Sequence, residues 1–340
     1  MRTVKNILVV NVNWHGDVIF STPVFKALKD FYPGAKISCL AVPRVHDVLA
    51  MNPLIDEIIA LDEKKEHWCP WNKLGLVFHL RKKKFDAAFL LHRSLSRAMI
   101  VALAGIPQRV GYDEKGRGFL LTKRIAPPKK WLHRADHYLN VIESAGIPVK
   151  ERGYTLSVPE SAQRDVDVLL REQGIAGNDF LVIVNTGGNW DLKRWPKEKF
   201  ALLMRQLKER YNAKVIIPGA PGDLNLAREI AALSKSDPVI LAGRTTWRQL
   251  AALMERAQLV ISADSGPMHL ASAVGTDVIG LFGPTRPEVT GPRGKGKIFI
   301  LQNDVGCNRA PCYNLACPDN VCMQSITVDE VINRVEQIKG

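Results

Sequence analysis

Residues 6–31 read NILVVNVNWHGDVIFSTPVFKALKDF: an apolar run, a polar turn, then apolar residues at helical spacing. The reading is a buried strand over Asn6–Val12, a turn at Asn13-Trp14-His15-Gly16-Asp17 and a helix over Val18–Phe31. A near-continuous apolar run belongs to a parallel sheet covered on both faces, whereas a half-exposed strand would alternate. Pro23 fits an early turn of the helix or its first position, with Thr22 as the cap. Further strands are expected at Lys36–Leu40, Ala87–Leu91 and around Arg109–Tyr112, with a loop and a basic helix over 62–84 that holds Trp68 and Trp71 beside Pro70.

Gly146, Pro148, Gly153 and Pro159 interrupt the pattern, which then restarts with a helix at Ser161–Gln173. Strands follow at Phe180–Val184, Lys214–Pro218, Val239–Ala242, Leu259–Ser262 and Val278–Phe282, separated by helices at 197–210, 223–233, 247–256 and 266–274. The chain is thus α/β, with two successive Rossmann-like domains over 1–155 and 160–340, the last helix being free to pack back on the first. Its 340 residues also exceed what one hydrophobic core comfortably serves. In such sheets ligands bind outside the carboxyl ends of the strands, and a two-domain form places them in a cleft.

Composition is that of a soluble globular protein, 46% hydrophobic and 24% charged. No apolar run approaches the roughly 18–20 residues that cross a bilayer, and the start lacks the pattern of a secretory leader, so a cytoplasmic location is expected. The net charge of +13 is lopsided. Residues 1–150 hold 24 Lys and Arg against 13 Asp and Glu, a balance of +11, while residues 151–340 hold 23 against 21. That asymmetry points to an anionic partner for the first half, or to solubility alone.

Several strand ends carry residues suited to chemistry. Asp17 reads either as a plain helix cap or as a general base facing a cleft. In Asn185-Thr186-Gly187-Gly188 the small residues let backbone N–H groups approach an anion, and Lys193-Arg194 place charge nearby; Trp195-Pro196 looks like packing at a helix start. Ala263-Asp264-Ser265-Gly266-Pro267-Met268-His269 puts a helix N-terminus at a strand end, where its N–H groups and dipole favour a pyrophosphate. Asp264 alone could be a cap and His269 a core histidine. Gly219 to Asp223 offers a close backbone approach and one carboxylate suited to ribose hydroxyls.

Three other signals are discounted. Asp165-Val166-Asp167 imitates a metal-binding pair, but Val166, Leu169 and Leu170 space it as solvated helix surface. Gly291 to Lys297 imitates a phosphate loop, but Ile298 stands where a Ser or Thr is needed and a strand follows. Cys307, Cys312, Cys317 and Cys322 are evenly spaced without paired knuckles, so free thiols are favoured over structural zinc or a redox pair. Cys39 and Cys69 have no partner pattern.

Taken in order, Gly16-Asp17, Lys193-Arg194-Trp195-Pro196, Asp264 to His269 and Leu281-Phe282-Gly283-Pro284-Thr285 resemble the ADP-heptose transferases of lipopolysaccharide core synthesis, glycosyltransferase family 9. Ala104 to Pro107 and Arg109 to Tyr112 add to the likeness, which spans nearly the whole chain and leans to the heptosyltransferase II branch. The resemblance implies the GT-B fold, with parallel sheets facing a central cleft, the acceptor on the N-terminal half and the nucleotide sugar on the C-terminal half. It implies inverting transfer of heptose from ADP-heptose to heptosyl-Kdo-lipid A at the cytoplasmic face of the inner membrane, without metal. Asp17 is then the catalytic base and Lys193 the pyrophosphate clamp. Thr186, Gly187, Asp223, Thr245, Asp264, Ser265, Gly266 and His269 are donor contacts. Asp223 departs from the family's acidic position by an offset. Arg93, Arg97, Arg117 and Arg134 match the acceptor side loosely. Rival readings are a transferase of the same fold for another sugar, or a basic nucleic-acid-binding protein; the first half lacks a nucleic-acid motif, so no nucleic-acid partner is expected.

Overall fold

The computed structural model describes residues 4–63, 70–188, 190–307, 312, 314 and 317–339; the chain divides into two compact units, Met1–Ser157 and Val158–Gly340. In the first, β1 (Asn6–Val10), β2 (Lys36–Ala41), β3 (Glu57–Ala60), β4 (Ala87–Leu90), β5 (Gln108–Tyr112) and β6 (Lys123–Ile125) form one parallel sheet among the described residues, in the order β3-β2-β1-β4-β5-β6. Its helices are α1 (His15–Phe31), α2 (His46–Leu49), α3 (Pro70–Lys82), α4 (Leu95–Leu103) and α5 (Arg134–Ser144). Ile7 to Val10 are buried on both sheet faces, which is why β1 reads as an unbroken apolar run. Leu8, Val10, Leu40, Ala88 and Leu90 share a core with Leu76, Val77 and Leu80 of α3 and Ala98, Ile100 and Val101 of α4.

Two expectations about α1 change. The helix begins at His15, so Gly16 and Asp17 lie inside its first turn, and Trp14 holds the cap position without a side-chain cap bond. Pro23 sits within the helix, where its missing N–H would have met the Ile19 carbonyl. The Thr22 hydroxyl donates to that carbonyl at 2.8 Å and so replaces the lost bond. The same oxygen accepts from the Thr155 N–H at 3.2 Å, which ties the end of the first unit to α1.

The second unit repeats the plan. Strands β7 (Leu181–Asn185), β8 (Lys214–Ile217), β9 (Val239–Ile240), β10 (Leu259–Ala263), β11 (Asp277–Leu281) and β12 (Ile298–Leu301) run parallel in the order β12-β11-β10-β7-β8-β9. Helices α6 (Glu160–Glu172), α7 (Lys197–Tyr211), α8 (Leu224–Ser234), α9 (Trp247–Arg256), α10 (Gly266–Val274), α11 (Pro287–Thr290), α12 (Val321–Gln324) and α13 (Val328–Lys339) complete it. The last helix puts Val328, Val331, Ile332 and Val335 into the core of this unit, beside Trp195 and Phe200. Trp195 also donates its indole N–H to the Ile326 carbonyl at 3.0 Å, so the tryptophan secures the start of α7 and the approach to α13 together.

Both sheets, numbered within their own unit, have the strand order 3-2-1-4-5-6. Strand order reverses between β1 and β4 in one and between β7 and β10 in the other. At such switch points the connections diverge to opposite faces, leaving a crevice at the carboxyl ends where ligands bind.

Candidate active site

At the first switch point the loop after β1 meets the loop after β4. Asp17, in the first turn of α1, accepts a hydrogen bond from the Tyr138 hydroxyl at 3.1 Å and has the Arg134 Nε at 3.6 Å. Both partners come from α5, which packs along α1, and one helical turn separates them. Burial, reinforced by the Asp17 charge, pushes the Tyr138 phenol well above its ordinary value, so it stays protonated and donates. The plain capping role for Asp17 does not describe this arrangement: the carboxylate is aimed by a phenol and a guanidinium from another helix.

Arg93 follows β4, is 57% exposed and lies 3.5 Å from Glu114. Its charge, with that of Arg134, adds to burial in pushing the His137 imidazole down to about 4. His92 is likewise pushed down to about 4, by burial first and then by Arg97. It accepts the Ser94 N–H on Nδ1 at 3.1 Å, and its Nε2 lies 3.3 Å from the Asn13 side-chain amide. With both imidazoles neutral, the solvent-accessible positive charge of the cluster rests on Arg93 and Arg134.

The four arginines expected on the acceptor side separate into two classes. Arg93 and Arg134 are solvent-accessible. Arg97 and Arg117 are wholly buried, which corrects their expected contact with a ligand. Arg97 donates to the Asn11 carbonyl at 3.0 Å and pairs with Glu63 at 2.6 Å. Arg117 donates to the Tyr112 and His92 carbonyls and occupies the space that Gly111 leaves by lacking a side chain. Both guanidiniums bind carbonyls at or just beyond the ends of β1, β4 and β5, and so fix the loops that carry Asn13, His92 and Arg93.

At the second switch point Lys193 donates to the Asp264 carboxylate at 2.9 Å and to its carbonyl at 3.3 Å. Asp264 also accepts from Thr290 at 3.2 Å, and its other oxygen lies 3.4 Å from His269 Nε2. Burial opposes ionisation of Asp264, but His269 and Lys193 overcome it and hold the carboxyl well below the usual range. With 4% exposure for Asp264 against 23% for Lys193, the carboxylate positions the ammonium, which is the member that reaches solvent. Ser265 is the N-cap residue of α10, yet its side chain does not cap the helix. The Asn185 amide holds its hydroxyl at 3.1 Å and that of Ser262 at 3.0 Å. The first-turn N–H groups of α10, those of Gly266 and Met268, have no intrahelical acceptor to meet; Pro267 has no N–H at all.

From β10 the strand ends run in order through β7, β8 and β9, carrying Asp264 and Ser265, then Thr186 and Gly187, then Asp223, then Thr245. Three steps of about 4.8 Å give a row of about 14 Å, long enough for an extended nucleoside diphosphate. The buried Thr186 hydroxyl has no hydrogen-bond partner among the described residues. Gly187 is glycine for a steric reason: a Cβ there would come within 2.7 Å of the Asp223 carboxylate, which itself accepts the Ala220 N–H at 2.9 Å. Gly243 closes the next loop with φ +76° and its N–H on the Gly219 carbonyl at 2.8 Å.

The discounted motifs have structural explanations. Asp165 accepts from Gln249, and Asp167 takes both N–H groups of Arg256 at 2.8 and 2.9 Å, across the packed pair α6 and α9. A Cβ at Gly294 would fall 1.9 Å from the Ser272 carbonyl and one at Gly296 2.6 Å from that of Thr276, so these glycines let a loop run against the end of α10. Cys307, Cys312, Cys317 and Cys322 form no disulfide among the described residues. Trp68 and Cys69 lie outside the described residues. Thr290 and Tyr138, which sequence reading did not single out, contact Asp264 and Asp17 in these clusters, and Asn185 of the Asn185–Gly188 stretch holds Ser265.

The sequence model of glycosyltransferase family 9 (heptosyltransferase) matches residues 74–318. The chain belongs to glycosyltransferase family 9. Lipopolysaccharide heptosyltransferase 3 of Escherichia coli K12 is 30% identical to it over 282 residues, 81% of each chain. The crystal structure of a family 9 glycosyltransferase from Veillonella parvula DSM 2008 matches with TM-score 0.86 and 25% identity, over 99% of this chain and 98% of that one. Escherichia coli ADP-heptose lipopolysaccharide heptosyltransferase II matches with TM-score 0.82 and 23% identity over 98% of both, a likeness of fold. This family 9 chain is therefore a glycosyltransferase of GT-B fold, and each of its two units carries a candidate functional cluster at its own switch point.

Proposed function

We propose that the protein transfers heptose from ADP-heptose, with inversion, to a hydroxyl of a heptosyl-Kdo-lipid A acceptor at the cytoplasmic face of the inner membrane. The observation that carries this reading is Lys193, held by Asp264 beside the N-terminus of α10. An ammonium and a set of helix N–H groups arranged before any substrate arrives are suited to a pyrophosphate leaving group. Thr186 and Gly187 lie next along the strand ends for the phosphates, with Asp223 and Thr245 beyond them for ribose and adenine. Asp264 and His269 act through Lys193, as positioning residues.

Asp17 takes the proton of the attacking hydroxyl as the new bond forms at the anomeric carbon and the bond to ADP breaks. Tyr138 and Arg134 orient Asp17, and Arg93 and Arg134 attract the anionic sugars of the acceptor. Transfer proceeds without a divalent ion, because the charge on departing ADP is met by Lys193 and α10. Asp165 and Asp167 are committed to Gln249 and Arg256. Binding of ADP, UDP and duplex DNA measured side by side tests the class: ADP should bind most tightly, and its affinity should fall in Lys193→Ala. Preference for UDP would point to another donor, and preference for DNA would remove the reading.

A further inference from the structure

Helix α3 is apolar on two opposite faces. Leu76, Val77 and Leu80 enter the core, while Trp71, Leu74 and Phe78, at spacings of three and four, remain exposed, Trp71 at 78%. Its neighbour α4 repeats this, burying Ala98, Ile100 and Val101 and exposing Leu95, Met99 and Leu103 along one line. Both helices pack their inner faces into the same core, so their apolar outer stripes belong to one surface. A single exposed leucine needs no explanation, but adjacent stripes containing a tryptophan and a phenylalanine call for a cover.

The charge around the stripes names the cover. From residue 70 to residue 112 there are eight Lys and Arg and a single acidic residue, Asp86. Asp86 is occupied, accepting the backbone N–H groups of Lys5 and Asn6. Arg81 and Lys82 extend the helix bearing Trp71 and Phe78 and are exposed. Lys83, Arg93 and Arg97 pair with Glu57, Glu114 and Glu63, whereas Arg81 and Lys82 make no ion pair among the described residues. Aromatic and aliphatic side chains flanked by such basic ones fit the boundary of an anionic bilayer, where the rings sit at headgroup level and the cations meet lipid phosphates. The stripe on α4 begins at Leu95, two residues beyond Arg93, so the surface is continuous with the acceptor side of the candidate site.

We propose that the outer faces of α3 and α4 dock the protein onto an anionic lipid surface, seating the bilayer beside Arg93. The proposal deepens the membrane reading above and rests on it for its purpose, but lipid binding is measurable without any transfer. The full chain should sediment with phosphatidylcholine vesicles containing about one-third phosphatidylglycerol and bind pure phosphatidylcholine at least tenfold more weakly. Trp71→Ser with Phe78→Ser, and separately Arg81→Glu with Lys82→Glu, should each lower partition into the mixed vesicles by about tenfold or more. These are surface changes, so the melting temperature should be unchanged, as should transfer to a deacylated, water-soluble acceptor. Vesicle binding that is absent, or equal for wild type and both variants, overturns the proposal. So does a wild-type dimer that these substitutions dissolve, since the cover is then a second copy. Loss of transfer to the soluble acceptor in wild type, with vesicle binding intact, would count against the function and not against the surface.

Discussion

Replacing Lys193 by Met separates the support of the charge pair from its chemistry. The substitution keeps the bulk of the side chain but leaves the Asp264 carboxylate, 4% exposed, without the ammonium that sits 2.9 Å away. Removing one member of a buried pair costs about 3–5 kcal/mol; with Lys193 at 23% exposure and Thr290 still donating, the lower end applies, about 3 kcal/mol. For a unit of this size that corresponds to a fall in melting temperature of about 6–12 °C. The effect should depend on pH in a defined direction. In the wild type His269 and Lys193 overcome burial and hold the Asp264 carboxyl below its unfolded value. Its contribution is therefore complete above about pH 4 and is lost as pH falls through the lowered value. In the variant His269 still favours the ionised form but the help of Lys193 is gone, so the carboxyl is depressed less than in the wild type. The gap between wild type and variant should be full at pH 7 and shrink as pH falls below about 4. Lys193→Met with Asp264→Leu removes the orphaned charge as well and should recover stability to within about 1 kcal/mol of wild type. Its transfer rate should stay depressed by about a hundredfold or more, since the leaving group still lacks its counter-charge. Thermal melts across pH, paired with initial rates, make the comparison. A single variant melting within about 2 °C of wild type at pH 7, or a double variant as unstable as the single, would refute the reasoning.

Asp17→Asn should lower turnover by about 10²–10⁴-fold with ADP affinity unchanged by calorimetry, whereas Tyr138→Phe, which removes only the bond at 3.1 Å, should cost about tenfold or less. Gly187→Ala should weaken ADP binding about tenfold, because its Cβ must displace the Asp223 carboxylate from a 2.7 Å approach; adding Asp223→Ala should return part of the loss. Acceptor KM should rise more steeply with salt than donor KM, as screening shortens from about 10 Å at 0.1 M to about 3 Å at 1 M, and equal slopes would remove the basic first unit as acceptor dock. Chelator should leave the rate unchanged; strict dependence on a divalent ion would contradict the mechanism.

The buried central strands were legible because burial on both faces leaves only apolar residues to read, as in β1 and β7. The edge strands β3 and β6 were not: Glu57 and Lys123-Arg124 face solvent and break the apolar run. The start of α1 was misplaced because its cap, Trp14, makes no side-chain cap bond and so leaves no capping signature in the sequence. Within the site, Asp17, Lys193 and Asp264 stand at strand ends where reading along the chain finds them. Tyr138 reaches Asp17 from 121 residues away, through the packing of α5 on α1, and nothing local marks it. Arg97 and Arg117 misled for the opposite reason. Arginine composition suggests an anion site, but both guanidiniums are buried and donate to backbone carbonyls, Arg97 also pairing with Glu63, which distinguishes them from Arg93 and Arg134.

The central claim is most directly tested by incubating the protein with ADP-heptose and a defined heptosyl-Kdo-lipid A acceptor and analysing the products by mass spectrometry and anomeric NMR. The account predicts an acceptor heavier by one heptose, with inverted anomeric configuration, formed without added metal and lost in Asp17→Asn. An unchanged acceptor in the presence of protein that binds ADP, or a product with retained configuration, would contradict it.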